Sequence, residues 1–312
     1  MKKFTADKNS EGMRLDRFMS KSVPGARTGD IYKALRKKKV RVNGKHFDGA
    51  YRLSIGDEIC IYMNDEFFDA EAPAFQWVNS PCEIDVAYED SNIVIAYKPA
   101  GLPSQEIEGV KDSLESRIRS YLFRKGEINM SERPLFVPSL CHRIDRNTAG
   151  LLIAAKNHTA QTIVNQMIKE RKIRKLYLCR TERAPKPSAG EICGWLVRSD
   201  RDKKMIFYDE KPKNAAAQYC KTAYRTVNKA APCIVEAELF TGRKHQIRVS
   251  FAHIGCPLCG DVKYGAGDTR GGKYQALEAY KIVFDFDDKG GPLDYLAHRT
   301  VERQSTALRD ER

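Results

Sequence analysis

Two short apolar runs stand out along the chain. Leu151-Leu152-Ile153-Ala154-Ala155 and Ile93-Val94-Ile95-Ala96-Tyr97 are continuous rather than alternating, the pattern of buried strands. Gly150 punctuates the start of the first, and Lys98-Pro99-Ala100-Gly101 stops the second. Helical spacing governs other segments. Leu114, Ile118 and Leu122 share one face of a helix over 113–123, 158–169 is a second amphipathic stretch, and Ile247, Phe251 and Ile254 mark a third. Residues 174–179, 219–227 and 234–240 predict strands. Near the N-terminus, 13–19 predicts a helix ended by Pro24-Gly25, and Ile31 with Leu35 predicts a second. Residues 40–45 alternate about Asn43-Gly44, a hairpin signal, and 53–61 adds a turn and a strand. Elements that alternate this irregularly predict the α+β class rather than a doubly wound sheet.

The pattern also divides the chain. Residues 1–62 form a small unit, 63–80 read as a linker, 81–300 as a second domain, and 301–312, with no apolar period, as a flexible tail. A chain of 312 residues suits about two domains. Charge sharpens the division. The 54 Lys and Arg against 41 Asp and Glu leave +13, and residues 1–62 hold 15 basic and 7 acidic residues, or +8 of that surplus. Such a balance points to a polyanionic partner, nucleic acid or an anionic membrane. No apolar run approaches the 18 or so residues of a membrane span. Met1-Lys2-Lys3-Phe4 is followed by polar residues rather than an apolar stretch, so a cytoplasmic protein is expected. Nine scattered cysteines suggest reduced thiols. Cys256 and Cys259 have C-x-x-C spacing, but no second pair completes a tetrahedral site, so they read as small buried thiols and no metal is expected.

Candidate chemistry collects in two stretches. In one, Asp145 stands between Arg143 and Arg146, just ahead of Thr148 and the first apolar run. A charged loop at a strand end is where a rigid scaffold presents side chains to a substrate. In the other, Thr241-Gly242 ends a strand, and Arg243, Lys244 and His245 lead into a helix carrying Arg248. Arg243 and Arg248 are five apart, so one can face outward to phosphate while the other faces inward. Residues 260–265 read as a turn. In the N-terminal unit, Arg36, Lys37, Lys38, Lys39 and Arg41 place a dense cation cluster beside the hairpin, a compact phosphate-binding face.

That N-terminal unit resembles the S-four-like RNA-binding domain, through Arg14-Leu15-Asp16-Arg17, Val42-Asn43-Gly44 and Gly56-Asp57. Nearly the whole chain resembles the RluA family of pseudouridine synthases. The match rests on Lys98-Pro99-Ala100-Gly101, His142-Arg143-Ile144-Asp145 with Thr148 and Gly150, Lys175-Leu176-Tyr177, and Gly242-Arg243 with His245-Gln246-Ile247-Arg248, in that order. The resemblance implies a central, mostly antiparallel sheet and an isomerase that converts uridine in RNA to pseudouridine without a cofactor. It implies Asp145 as the nucleophile and Arg248 as its partner through a paired hydrogen bond. Tyr177 would stack on the base and help remove the proton from carbon 5. Arg143 would hold phosphate or fill the stack left by the flipped nucleotide, and His142 would order the loop. The appended domain fits members of this family that act on large-subunit ribosomal RNA, which makes that RNA, or tRNA within the same class, the expected partner of a monomeric enzyme. Ala149 and Tyr97 depart from the family's usual Ser and Asn, and neither removes a catalytic group. A ribosome-associated RNA binder without activity is the alternative, but it would have no need of Asp145, Tyr177 and Arg248 together. A hydrolase built on Cys141 and His142 is disfavoured, because adjacent side chains rarely face each other and no Gly-x-Ser-x-Gly elbow is present.

Overall fold

The computed structural model describes residues 1–7, 9–68, 75–128, 136–213, 216–230, 233–267, 273–287 and 290–304. Its N-terminal unit contains β1 (Lys2–Thr5), α1 (Leu15–Ser22), α2 (Thr28–Arg36), β2 (Val40–Val42) and β3 (Glu58–Ile61). The strands pair antiparallel in the order β1-β3-β2. Leu15, Phe18 and Met19 of α1 and Ile31 of α2 pack with Ile59 and Ile61 in a closed core. Asn43 and Gly44 both take positive φ, 50° and 76°, as a tight two-residue turn requires. The predicted hairpin is reduced to a single bridge, Val42 to Lys45, because β2 spends its pairing on β3. Two of the motif pieces hold each other. Asn43 Nδ2 donates to Asp57 Oδ1 at 2.7 Å, and Glu58 N donates to Asn43 Oδ1 at 2.9 Å.

The larger unit is one 11-stranded sheet. Its strands are β4 (Asp85–Glu89), β5 (Ile93–Lys98), β6 (Ser139–Leu140), β7 (Ala149–Ala155), β8 (Ile173–Thr181), β9 (Ala189–Ser199), β10 (Lys204–Tyr208), β11 (Gln218–Asn228), β12 (Cys233–Leu239), β13 (Leu277–Phe284) and β14 (Thr300–Glu302). The order is β10-β9-β11-β12-β8-β13-β7-β5-β4, with β14 beside β13 and β6 beside β7. Helices α3 (Leu114–Arg124), α4 (His158–Lys169) and α5 (Gln246–His253) pack on it. Leu152 and Ala154 of β7 join Leu114, Ile118 and Leu122 of α3 on one face. Leu151, Ile153 and Ala155 join Ala160 and Val164 of α4 on the other. Burial on both faces is why this run is unbroken in sequence. Ser113 and Asn157 cap α3 and α4 by accepting from the amides of Ser116 and Ala160 at 3.1 and 2.8 Å.

Two expected boundaries differ. The 63–80 linker is partly structured: Phe68 belongs to the N-terminal core, and Trp77, on a short turn over Gln76–Asn79, is buried with α3. Residues 69–74 lie outside the described residues. Residues 301–304 of the expected 301–312 tail are placed in the fold, and 305–312 lie outside the described residues. Val301 is buried on β14, and Arg303 pairs with Asp85 and lies 3.8 Å from the Tyr97 ring centroid. A three-residue strand with one apolar side chain is too short to show a period.

All pairings of the large sheet are antiparallel except β7 with β13, where Ala149 and Gly150 run parallel to Glu278 and Ala279. Gly150 has φ +135°, and a Cβ there would sit 2.5 Å from both N and O of Ala279. No side chain fits this close approach. Gly150→Ala should therefore cost about 2–4 kcal/mol, combining backbone strain with overpacking. Gly29→Ala, on α2 with open space around its Cβ, should stabilise by up to about 1 kcal/mol. Urea unfolding of the two variants checks both signs.

Candidate active site

The β6–β7 loop carries Asp145, and a web of backbone contacts fixes it. Lys98, fully buried at the end of β5, donates through Nζ to the carbonyls of Pro99, Leu102 and Arg146 at 2.9, 2.7 and 2.9 Å. Burial pulls its ammonium down to about 7, against the opposing pull of Asp145. Gly101 N donates to Arg146 O, and Arg146 Nε donates to Gly101 O, both at 2.9 Å. Arg146 thus ties the two loops together, while Arg143 stays exposed at the cavity rim. Ser104 Oγ donates to Ile144 O at 2.8 Å and accepts from Ile144 N at 3.2 Å. Ile153 N donates to His142 Nε2 at 3.2 Å, and burial keeps that imidazole well below its ordinary range, hence neutral. A neutral ring that accepts from β7 suits the loop-ordering reading of His142.

The second stretch faces this loop. Arg248 on α5 is buried, and its Nε and Nη2 donate to Asp261 Oδ2 and Oδ1, both at 2.7 Å. Its Nη1 lies 3.6 Å from Asp145 Oδ2. The paired hydrogen bond expected for Asp145 therefore belongs to Asp261, and the Asp145 contact is a longer ion pair. Burial would lower the Arg248 guanidinium, but the Asp261 fork and Asp145 more than offset it. His245 enters α5 in the left-handed region at φ 55°. Its Nδ1 is 2.7 Å from Tyr264 Oη and its Nε2 3.9 Å from Asp145 Oδ2. Tyr264 Oη accepts from Met205 N at 3.0 Å, so its own proton is free to go to Nδ1. The assigned tautomer then carries its hydrogen on Nε2, facing Asp145. Gln246, buried, accepts from Thr241 Oγ1 and Arg243 N and donates to Lys221 O and Thr222 Oγ1, which fixes the turn before α5. Arg243, ahead of the helix, is exposed and donates to Tyr219 O at 3.1 Å.

Tyr177, on β8, closes the constellation from the sheet. It is 5% exposed, and its hydroxyl has no hydrogen-bond partner among the described residues. Burial, and then the nearby Asp145 charge, hold the phenol above its ordinary range, so it is protonated at neutral pH. Asp145, Tyr177, Arg143, His245 and Arg248 line one cavity of about 430 Å³, a size suited to a nucleoside. Arg36, Lys37, Lys38, Lys39 and Arg41 are exposed on the N-terminal unit, and none lines this cavity. Cys256 and Cys259 are buried beside the Thr181–Leu258 bridge. Sequence reasoning did not find the parts played by Asp261, Tyr264 and Lys98. The Gly260-Asp261 turn offered one signal, an acidic residue shortly after a helix whose arginine needs a partner.

Comparisons with known proteins identify the family and the fold. A family model described as RNA pseudouridylate synthase matches residues 92–253, and one described as S4 domain matches residues 13–59. The fold is that of an RNA-modifying isomerase preceded by an S4 domain. The chain belongs to the RNA pseudouridylate synthase family. An uncharacterized RNA pseudouridine synthase of Mycoplasma capricolum is 30% identical over 96% of this chain and 97% of its own. Ribosomal large subunit pseudouridine synthase C of Rickettsia bellii is 32% identical over 86% of this chain and 89% of its own. The solved human RNA pseudouridylate synthase domain containing 1 shares the fold, with a TM-score of 0.52 and 21% identity over 76% of this chain and 94% of that one. Among the described residues no helix is long and apolar enough to cross a membrane.

Burial lowers His245 to about 4, against the attraction of Asp145. A histidine depressed in the folded state contributes stability that is present above its ordinary value near 6.5 and lost as pH falls toward 4. His245→Asn should remove an acid-induced loss on the order of 3 kcal/mol between those values. Parallel urea unfolding of both proteins at pH 7 and pH 4 measures the difference.

Proposed function

We propose that this enzyme isomerises a uridine of large-subunit ribosomal RNA, acting as a cytoplasmic monomer with Asp145 as its nucleophile. The observation that carries the proposal is the Asp145 carboxylate opening into a nucleoside-sized cavity, with Arg248 and His245 behind it and Tyr177 alongside. The relatives named for large-subunit RNA and the S4 unit support the choice of RNA. A target inside folded RNA must leave its stack, at a cost of a few kcal/mol. Arg143, at the rim, fills the vacated stack or holds a flanking phosphate with its planar guanidinium. The exposed Arg36, Lys37, Lys38, Lys39 and Arg41 neutralise phosphates farther along the RNA, and Arg243, which lines the cavity, neutralises one beside the target.

In the proposed reaction the bond between uracil N1 and ribose C1′ breaks while an oxygen of Asp145 bonds transiently to the nucleotide. Uracil turns in the cavity, a bond from C5 to C1′ replaces the one lost, and the bond to Asp145 breaks to return its carboxylate. The proton on C5 leaves and N1 gains one, so product and substrate are isomers. Tyr177 stacks on the base. Because its phenol is protonated, it takes up the C5 proton only as it passes its own to water, and water supplies the proton that N1 gains. Arg248 keeps Asp145 ionised and in place.

Asp145→Asn keeps the shape without the nucleophile. It should abolish pseudouridine formation in a single-turnover assay while RNA affinity stays within a few-fold. Tyr177→Phe should bind equally well and stall after glycosidic cleavage, read as loss of tritium release from C5-labelled uridine RNA. Conversion by the asparagine variant would refute the nucleophile assignment, and full activity of the phenylalanine variant would remove the hydroxyl's role.

A further inference from the structure

A second cavity, of about 690 Å³, adjoins the first, and the two share Lys175, Leu239, Gly242 and Arg243 as lining. It lies where β8 begins and β12 ends, beside the C-terminal turn of α4. Its cations are Lys169, Arg171, Arg174, Lys175 and Arg243. Arg174 is already engaged by Glu238, at 2.7 and 2.8 Å, and by Asp285 at 3.6 Å, so the two carboxylates of the cavity are matched. Lys175 differs. It is half-buried at the junction, with no hydrogen-bond or ion-pair partner among the described residues. Burial, and then Arg171, disfavour its ammonium there. A desolvated cation between two cavities lacks an anion. The cavity also holds a half-exposed aromatic face. Phe240 has Lys221 Nζ 5.0 Å and the Arg171 guanidinium 5.8 Å from its ring centroid.

We propose that this second cavity seats the nucleotide next to the target uridine, with the phosphate between them on Lys175 and Arg243 and its base against Phe240. The proposal rests on the reading that the target enters the Asp145 cavity, and it adds the subsite that fixes the flanking RNA. Continuity of the two cavities makes the occupant part of the same strand, and the unmatched charge at their junction makes the contact a phosphodiester. An aromatic ring flanked by two cations accepts any base, so the subsite positions the strand without dictating its sequence.

The test is a cycle between protein and RNA. The probe is a synthetic stem-loop, converted by the wild-type enzyme, with one loop uridine flanked on either side by a native phosphate or an uncharged methylphosphonate. At one of the two positions, methylphosphonate should weaken wild-type binding about 10-fold, the worth of a charged hydrogen bond. Lys175→Gln should weaken binding of the native RNA by a similar factor and be indifferent to that same methylphosphonate. An abasic nucleotide on that side should weaken the wild type about 5- to 100-fold while barely affecting Phe240→Leu. The RNA modifications act on the unaltered enzyme, so a variant that folds poorly leaves the wild-type arms decisive. Losses that multiply independently at both phosphates, or a wild type indifferent to both, would overturn the subsite. Failure of the Asp145 assignment would appear instead as turnover by Asp145→Asn, with the binding cycle unchanged.

Discussion

The site depends on one buried ion pair. Arg248 and Asp261 are both removed from water, and their fork uses two guanidinium nitrogens at 2.7 Å each. Such a pair contributes little net stability over a well-packed apolar replacement, but breaking it strands a buried charge at about 3–5 kcal/mol. What it does supply is direction. With Nε and Nη2 committed to Asp261, only Nη1 is left toward Asp145, and it lies 3.6 Å away. Tyr264 completes the arrangement: its ring lies 5.0 Å from the same guanidinium, and its hydroxyl orients His245 toward the same carboxylate. The short segment from Asp261 to Tyr264 therefore sets both groups behind Asp145.

The other half of the geometry comes from the middle of the sheet. β7 and β13 meet in parallel for two residues, and Gly150 permits that approach five residues after Asp145. On the opposite side, Lys98 gathers carbonyls from its own turn and from Arg146. The carboxylate is thus held between a strand start and a lysine knot, while Tyr177 projects from β8, separated from β7 only by β13. Rigid elements fix all three, which suits chemistry that must retain a detached base while it turns.

How much of this the sequence discloses follows from burial. β5 and β7 were legible because both faces are covered, leaving unbroken apolar runs. Helices α3 and α4 followed from one-sided spacing, whereas α5 is covered on all sides from Gln246 to Phe251. β14 has one apolar residue, Val301, and β10 has five residues at the sheet edge, too few for a period to emerge. Asp145, Tyr177 and Arg248 were reached through motif order, and the structure brings all three to one cavity. Asp261 was not, because its value lies in meeting Arg248 across a loop that reads as an ordinary turn. Lys98 looked like a strand terminator, since nothing in a sequence tells that a lysine is sealed among carbonyls. Lys175 sat inside a recognised motif, yet that it meets no partner among the described residues is visible only in three dimensions.

The most direct measurement of the central claim, that the Asp261 fork aims Arg248 at Asp145, is the single-turnover rate of tritium release by Asp261→Asn at saturating C5-labelled uridine RNA. A rate about 100-fold below wild type is expected, the cost of a misplaced charged group, with RNA affinity within a few-fold. A folded Asp261→Asn enzyme that released tritium at the wild-type rate would contradict it.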